Sequence, residues 1–261
     1  MSSTVIAHHL MTWHGWLNKN KLPVDTPAIL AEVKAAGYDA IEMGGDAKAH
    51  GSAAVLRQQL ATAGVSIAAW SGGVTANPWP ANTDSYRSQF DFAAELGITL
   101  IVICGGFLDG RRTTYEADYR LFAENLGAAQ DWAKRNGQTL AFHPHKGCIV
   151  ETLAEVDRLI RYLPRLQLCV DTGHLAAVGE DPLLCLDAHA ARVVALHLKD
   201  YDKPSNRFAE LGRGQVDLAA VMAWSKRSGF TGPMIVERDD PPMPAGESAR
   251  ISREHLRTLL A

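Results

Sequence analysis

One local pattern recurs along this chain: an amphipathic helix, then glycine, then a short, continuous apolar segment. It occurs at AAGYDAIEM (35–43), TAGVSIAAW (62–70), ELGITLIVI (95–103), RNGQTLAFH (135–143) and RSGFTGPMIV (227–236). Glycine ends helices because it adopts the left-handed backbone conformation without strain. Unbroken apolar runs are typical of parallel strands that are covered on both faces. The pattern therefore predicts repeated βα units around a parallel sheet.

Counting these segments gives about eight strands, which predicts a single (β/α)8 TIM barrel. The strands are predicted at 4–12, 38–43, 65–71, 98–104, 138–143, 166–171, 192–197 and 233–237. Helices are predicted near 26–36, 51–63, 83–96, 114–136, 151–162, 182–190, 216–228 and 247–260. Asp25-Thr26-Pro27 and Asp181-Pro182 mark two helix starts, each a capping acid with proline in the first turn.

The chain length fits this fold, since 261 residues is close to the roughly 250 of a typical barrel. We expect one domain that spans residues 1–261. The alternative architecture is a doubly wound open sheet. It would place ligands at one crevice instead of around a ring of strand ends.

Composition narrows the classes of function. A formal net charge of −3 gives no reason to expect nucleic acid or an anionic membrane as a partner. The four cysteines form no CxxC pair, which favours reduced thiols. The first residues lack signal-peptide features and no apolar run reaches transmembrane length. We expect a cytoplasmic protein, and a homodimer or higher homo-oligomer is usual for such a barrel.

Four metal-type ligands each follow an apolar run, in the second half of the chain. They are His143, Asp171, His197 and Glu237. Each would stand at the carboxyl end of its strand, and in a β/α barrel these ends meet at one mouth. Two imidazoles and two carboxylates suit a borderline cation such as Mn²⁺, Co²⁺, Fe²⁺ or Zn²⁺ better than Ca²⁺. Open coordination positions would make the site catalytic rather than structural.

Several motifs resemble one family. HPHKG (143–147), VDTGH (170–174), HLKD (197–200), GRGQVD (212–217) and IVERDDP (235–241) are similar to the inosose dehydratase group of the xylose-isomerase-like barrels. WHGW (13–16) and AGYDAIEMG (36–44) also fall where that group has similar stretches. The wider superfamily includes sugar isomerases, epimerases and endonuclease IV. Endonuclease IV would need further metal ligands and a basic face, for which the sequence gives no sign.

The resemblance implies one divalent ion, most often Mn²⁺ or Co²⁺, on the four ligands named above. Fe²⁺, Mg²⁺ and Zn²⁺ are the alternatives. It also implies that His145 and His174 line the substrate pocket, together with Lys199 and Glu42. The partner would be a small polyol or sugar.

Two departures from the superfamily matter. Its ketose epimerases usually carry Glu where this chain has His143, and they use that Glu with the one on the last strand as an acid/base pair. A metal-bound imidazole has no lone pair left for proton abstraction, which favours elimination over epimerisation. In addition, YDKPSNRFAEL (201–211) is shorter than the corresponding segment in inosose dehydratases. This shortening bears on which substrate is used.

The sequence therefore predicts a metal-dependent lyase that dehydrates a keto-polyol or keto-sugar by enolisation and β-elimination. The metal would act as a Lewis acid on the ketone. Proton transfer would fall to Lys199, His145, His174 or Glu237, and a lysine base would need a lowered pKa. The alternatives are an isomerase or epimerase on the same scaffold, a 3-keto-glycoside lyase, and a non-catalytic sugar-binding barrel. The last of these would not need four intact ligands.

Other segments carry weaker signals. Trp13 and His14 follow the first strand, where they could contact a polyol ring or serve the structure alone. GRG (212–214) precedes a helix whose N-terminus could bind an anion, although no second glycine-rich segment supports a phosphate site. NPWP (77–80) is read as a turn, and Arg111-Arg112 as solvated surface.

Overall fold

The computed structural model describes residues 4–45, 47–74, 83–106 and 115–260. NPWP (77–80) and Arg111-Arg112 lie outside these residues. Within them, eight parallel strands close into a barrel in the order β1-β10-β7-β6-β5-β4-β3-β2. These strands are β1 (Ile6–His9), β2 (Ala40–Gly44), β3 (Ser66–Val74), β4 (Leu100–Gly105), β5 (Thr139–Phe142), β6 (Gln167–Asp171), β7 (Val193–Leu198) and β10 (Met234–Val236). The predicted TIM barrel is confirmed.

Helices surround the barrel between successive strands. They are α1 (Met11–Lys19), α2 (Thr26–Ala35), α3 (Ala53–Ala63), α4 (Thr83–Glu95), α5 (Glu116–Arg135), α6 (Leu153–Tyr162), α7 (Thr172–Ala177), α8 (Pro182–Ala188), α9 (Leu218–Ser228) and α10 (Ala245–Leu260). Short 3₁₀ turns occupy Ala47–His50 and Ala190–Arg192. Among the described helices, none is both long and apolar enough to span a membrane.

The predicted helix signals act as expected. The Asp25 carboxylate accepts the N–H of Ala28 at 3.1 Å, and that of Asp181 accepts the N–H of Leu183 at 2.9 Å. Gly64 and Gly229 follow α3 and α9 with φ of 63° and 67°. These left-handed conformations end each helix and turn the chain toward the next strand.

Three regions differ from the prediction. β1 ends at His9 and α1 begins at Met11, whereas the sequence suggested a strand to residue 12. The helix forms here because Trp13 packs into the core. The short helix α7 begins directly after Asp171, and β8 (Asp200–Asp202) pairs antiparallel with β9 (Arg207–Ala209). We call residues 200–209 the mouth hairpin.

Two buried layers make up the core. The larger lies between strands and helices and holds most of the large aliphatic and aromatic side chains. A smaller, separate cluster draws on all eight barrel strands, which places it in the barrel interior: Ala7, Ala40, Ala69, Leu100, Val102, Ala141, Cys169, Ala195 and Ile235. All four cysteines are free, and three of them are buried. The small inner residues leave room for larger polar side chains above them.

Candidate active site

The site is the next layer of the barrel interior. Side chains alternate along a strand, so residues two apart point to the same side. Six inner-cluster residues are each followed two positions later by a buried polar residue: His9, Glu42, His143, Asp171, His197 and Glu237. These six side chains therefore converge at the carboxyl-end mouth, where barrel active sites form.

The four predicted metal ligands come together as expected. Their ligand atoms all lie within 4.8 Å of one another, and all four residues are buried. His143 Nε2 lies 3.1 Å from Asp171 Oδ2, and His197 Nδ1 lies 2.9 Å from Glu237 Oε2. Such a set of two imidazoles and two carboxylates has the composition of a borderline-cation site.

Two unpartnered atoms in this cluster fit a cation. His197 Nδ1 and Glu237 Oε2 are buried and lie 2.9 Å apart, but among the described residues neither makes a hydrogen bond of good geometry. A buried polar atom without a partner carries a free-energy penalty. A divalent cation held by the four ligands would satisfy both atoms, so these residues fit the metal that the sequence suggests.

The two carboxylate oxygens of Asp171 have different partners. Its Oδ1 accepts the N–H of His174 at 2.7 Å and so caps α7, while Oδ2 faces His143. Burial disfavours the charge, but the Lys199 ammonium outweighs it and holds the pKa of Asp171 well below its usual range. Burial also opposes charge on Glu237, yet the Lys199 ammonium keeps the pKa of Glu237 well below its usual value. Both carboxylates are therefore ionised.

Lys199 lies fully buried beside the ligands. Its Nζ is 2.8 Å from Asp239 Oδ1, 3.1 Å from His174 Nε2 and 3.4 Å from Glu237 Oε2. Burial acts to lower the pKa of Lys199, but the carboxylates of Asp239, Glu237 and Asp171 outweigh it and raise the pKa. The side chain is thus held as an ammonium, the opposite of the lowered pKa that a lysine base requires.

Asp239 is a site residue that the sequence analysis missed. It lines the mouth cavity, its side chain is 33% exposed, and it accepts a hydrogen bond from Lys199. Burial raises the pKa of Asp239 to about 6, with Lys199 acting against the rise and Glu237 adding to it. A signal was available in the sequence, because Asp239 stands two residues after the predicted ligand Glu237 in the IVERDDP motif.

His145 and His174 lie side by side, with ring centroids 3.7 Å apart. His145 lines the cavity, and its Nδ1 donates to the Lys146 carbonyl at 2.8 Å, which places the neutral ring's lone pair on Nε2. Burial lowers the pKa of His145 to about 4, and burial with Lys199 lowers the pKa of His174 well below its usual value. Both rings are therefore neutral near pH 7.

Glu42 lines the mouth cavity, so its predicted contact with substrate stays a prediction. It is 0% exposed, and its Oε2 accepts from His197 Nε2 at 2.9 Å. Its Oε1 lies 3.2 Å from His9 Nε2, outside ideal hydrogen-bond geometry. His9 was missed because His8 and His9 are adjacent, and only the register of β1 shows that His9 points inward.

Trp13 does not reach the cavity. It is 2% exposed, and its indole N–H donates to Glu32 Oε2 at 2.8 Å. Of the two roles that the sequence left open for Trp13, its burial supports the structural one. His14, by contrast, lines the cavity.

The GRG segment binds an anion, but that anion is a side chain. Asp200 Oδ2 accepts the N–H groups of Gly212 and Gly214, both at 2.9 Å. Its Oδ1 accepts those of Tyr201 at 2.8 Å and Val216 at 3.1 Å. The suggested external anion site is thus already filled by the chain's own carboxylate.

We call these four hydrogen bonds to the Asp200 carboxylate the Asp200 clasp. The clasp holds the mouth hairpin against the site. Phe208 of the hairpin contacts the His174 ring at a centroid distance of 4.8 Å, and Lys199 Nζ lies 4.6 Å from the Phe208 ring centre. At the tip, Asn206 Oδ1 accepts from Lys146 Nζ at 3.3 Å. Phe208 thereby covers one side of the Lys199 ammonium.

The mouth encloses a cavity of about 400 Å³. Its lining includes His9, His14, His143, His145, Cys104 and Asp239, with Gly44, Gly45, Ser71 and Gly72 also present. A wider groove of about 740 Å³ lies outside the barrel between α5 and α6 and includes none of these residues. The smaller cavity is therefore the candidate active site, because its lining includes three of the predicted ligands and neighbouring titratable residues.

A closed parallel barrel with metal-type ligands at its mouth defines a TIM-barrel protein with an enzyme-like site. The chain matches the family model of the xylose isomerase-like TIM barrels over residues 30–259. It belongs to that family.

Curated relatives cover most of the chain. It is 28% identical to an inosose dehydratase of Geobacillus thermodenitrificans (strain NG80-2), over 87% of this chain and 87% of the relative. It is 30% identical to the rhizopine catabolism protein MocC of Rhizobium meliloti, over 94% of this chain and 86% of the relative.

Solved structures share the fold. An L-ribulose 3-epimerase superposes with a TM-score of 0.81 at 18% identity, covering 98% of this chain and 94% of that one. The IOLI protein with a bound zinc atom superposes with a TM-score of 0.77 at 18% identity, covering 98% of each chain.

Proposed function

We propose that this protein is a divalent-metal-dependent lyase that removes water from a keto-polyol or keto-sugar. The inosose dehydratase relatives support the reaction and the class of substrate. The observation that carries the proposal is the contact between buried Lys199 and partly exposed Asp239 beside the four-ligand cluster. When bound, a divalent cation, with Mn²⁺ as first choice, would supply Lewis-acid stabilisation of negative charge on the ketone oxygen.

In this proposal Lys199 and Asp239 divide the proton transfers. Asp239, with a pKa of about 6, accepts a proton near neutral pH, where a general base works best. Lys199 is held as an ammonium and therefore serves as the proton donor. The neutral rings of His145 and His174 bind and orient the substrate, as the sequence predicts for residues that line the pocket.

In the proposed elimination, Asp239 and Lys199 together accept and return every proton that is transferred. The C–H bond next to the ketone breaks, and its proton passes to the Asp239 carboxylate. The electron pair first moves onto the ketone and gives an enolate. It then forms the C=C bond between the α- and β-carbons as the β C–O bond breaks, and Lys199 protonates the departing hydroxyl, which leaves as water. Asp239 then returns its proton to Lys199 across their 2.8 Å contact, which restores both groups.

Product analysis tests the reaction. The Mn²⁺-loaded protein is incubated with 2-keto-myo-inositol and, if that is inert, with a 3-keto-glucoside. We expect a dehydrated product with the absorbance of a conjugated carbonyl. Formation of only an equal-mass ketose or epimer from these substrates would contradict the lyase proposal.

Variants in deuterated water test the division of roles. Asp239→Asn should lose both deuterium exchange at the α-carbon and dehydration, by about 100-fold or more. Lys199→Met should retain some exchange while dehydration falls by a similar factor, because it blocks only the later proton donation. Asp240→Asn is the matched control, since this neighbouring side chain is half-exposed and pairs with Lys19. Loss of exchange in Lys199→Met but not in Asp239→Asn would reverse the assignment.

The alternative is an isomerase or epimerase on the same scaffold. The Glu237 carboxylate in the cavity favours it, because that group could serve as one acid/base residue. His143 opposes it, since a ligating imidazole cannot replace the second carboxylate. His143→Glu should therefore increase the proportion of equal-mass isomer relative to dehydrated product.

A further inference from the structure

We propose that Glu42 and His9 act as positioning residues that fix the ring of His197 in the tautomer able to bind a cation. The inference rests on the proposed metal-dependent function and concerns two residues outside the four-ligand set. Glu42 contacts His197 with one oxygen and approaches His9 with the other. Its side chain is wholly buried at the wall of the mouth cavity.

The tautomer of His9 follows from its backbone contact. The N–H of Met11 donates to His9 Nδ1 at 2.9 Å, so Nδ1 carries the lone pair. The proton of the neutral ring is therefore on Nε2, which lies 3.2 Å from Glu42 Oε1. His9 thus presents an N–H to Glu42, and the atom opposite this N–H must be a hydrogen-bond acceptor.

The tautomer of His197 follows in turn. Glu42 Oε2 can only accept, so His197 Nε2, at 2.9 Å, is the protonated nitrogen. A ring that ligates a cation is neutral, so with Nε2 protonated its lone pair is on Nδ1, which lies 2.9 Å from Glu237 Oε2 within the ligand cluster. Ligating histidines commonly depend on a carboxylate of this kind for tautomer and orientation.

An amide in place of the Glu42 carboxylate would break this arrangement. It offers one acceptor and one donor to two rings that both present an N–H. His9 is fixed by Met11, so the amide oxygen goes to His9 and the NH₂ group faces His197 Nε2. That would move the His197 proton to Nδ1, where it excludes a cation.

The experiment measures the dissociation constant for Mn²⁺ by calorimetric titration of the chelator-treated full chain. The variants are Glu42→Gln, His9→Leu and the double variant. Glu32→Gln is the matched control, because it changes a carboxylate that accepts from a ring N–H, that of Trp13, outside the cavity. Circular dichroism verifies that each variant is folded.

Glu42→Gln should weaken Mn²⁺ binding by about 10- to 100-fold. His9→Leu frees the amide to turn its oxygen to His197, so the double variant should bind Mn²⁺ more tightly than Glu42→Gln alone. Glu32→Gln should match the wild type. A double variant that binds more weakly than Glu42→Gln, or a Glu42→Gln protein with wild-type affinity, would overturn the inference. Absence of Mn²⁺ binding by the wild type would instead refute the proposed metal dependence.

Discussion

Glycine at position 173 shows how closely single residues constrain the site. A β-carbon there would lie 2.5 Å from Lys199 Cγ and 2.8 Å from its Cβ, distances that real β-carbons do not adopt. Gly173 directly follows the first residue of α7, whose cap is Asp171. The VDTGH motif thus serves two purposes, because it supplies the ligand Asp171 and leaves space for the Lys199 side chain.

We therefore expect Gly173→Ala to displace Lys199 without removing any ligand. The turnover number should fall by about 10-fold or more, since misplaced catalytic groups cost rate steeply. Overpacking should also destabilise the fold by about 1–3 kcal/mol. Steady-state kinetics, Mn²⁺ titration and urea unfolding measure the three quantities.

Gly127→Ala is the control for Gly173→Ala, since its β-carbon would meet its nearest neighbour at 3.4 Å, an ordinary contact. Gly127 lies in α5, away from the mouth, and this variant should keep the wild-type turnover number. A Gly173→Ala enzyme with unchanged turnover would show that Lys199 can move without consequence.

Among the elements, the mouth hairpin depends on a single side chain. The Asp200 carboxylate accepts four backbone N–H groups, and three of them tie the base of the hairpin to residues 212–216. Hydrogen bonds to charged groups are among the stronger ones in proteins. The hairpin itself has only two three-residue strands, so its position relies on this clasp.

Asp200→Asn should loosen the hairpin, because an amide NH₂ would face backbone donors. We expect the free energy of unfolding to fall by about 2–4 kcal/mol, and protease cleavage within residues 203–206 to accelerate. Urea unfolding and limited proteolysis measure these effects. Asp202→Asn is the control, because that exposed side chain accepts from Gln215, and surface changes stay within about 0.5 kcal/mol. Equal stability of the two variants would argue against the clasp.

The elements that could be predicted from the sequence are those with local signals. The barrel strands are continuous apolar runs after glycine, and the four ligands are the polar residues that end such runs. β8 and β9 have no such signal, since they form through contacts to Asp200 from residues more than ten positions away. Trp13 was ambiguous because an aromatic residue packs equally well in a core or on a sugar ring.

At the scale of the whole molecule, the site and the main core are separate layers of one barrel. The large apolar side chains pack between strands and helices, whereas the ligands stand above the small inner residues. The fold therefore does not need a cation to bury its core. The burial of the ligands, on the other hand, ties cation binding to the folded state.

Removal of the metal should consequently abolish activity without unfolding the protein. A chelator should leave the far-ultraviolet circular dichroism unchanged. Mn²⁺ at a hundred times its dissociation constant should stabilise the fold by about 2.7 kcal/mol, which raises the Tm by roughly 5–10 °C for a chain of this size.

The variant that combines Asp171→Asn with Glu237→Gln provides the comparison for this measurement. Its Tm should not respond to Mn²⁺, because two of the four ligand charges are gone. A chelated wild-type protein that unfolds, or a double variant that gains the full increase in Tm, would contradict this account.

The Asp200 clasp has a consequence for how such a protein could diversify. It closes the hairpin at its base, so the exposed residues at the tip, 203–206, can change in length without disturbing the barrel. A longer or shorter tip would reach a different distance across the mouth while the ligands and Lys199 stay in place. Changes in the length of the hairpin tip could therefore alter which substrates fit the mouth, while the four ligands and Lys199 keep their positions.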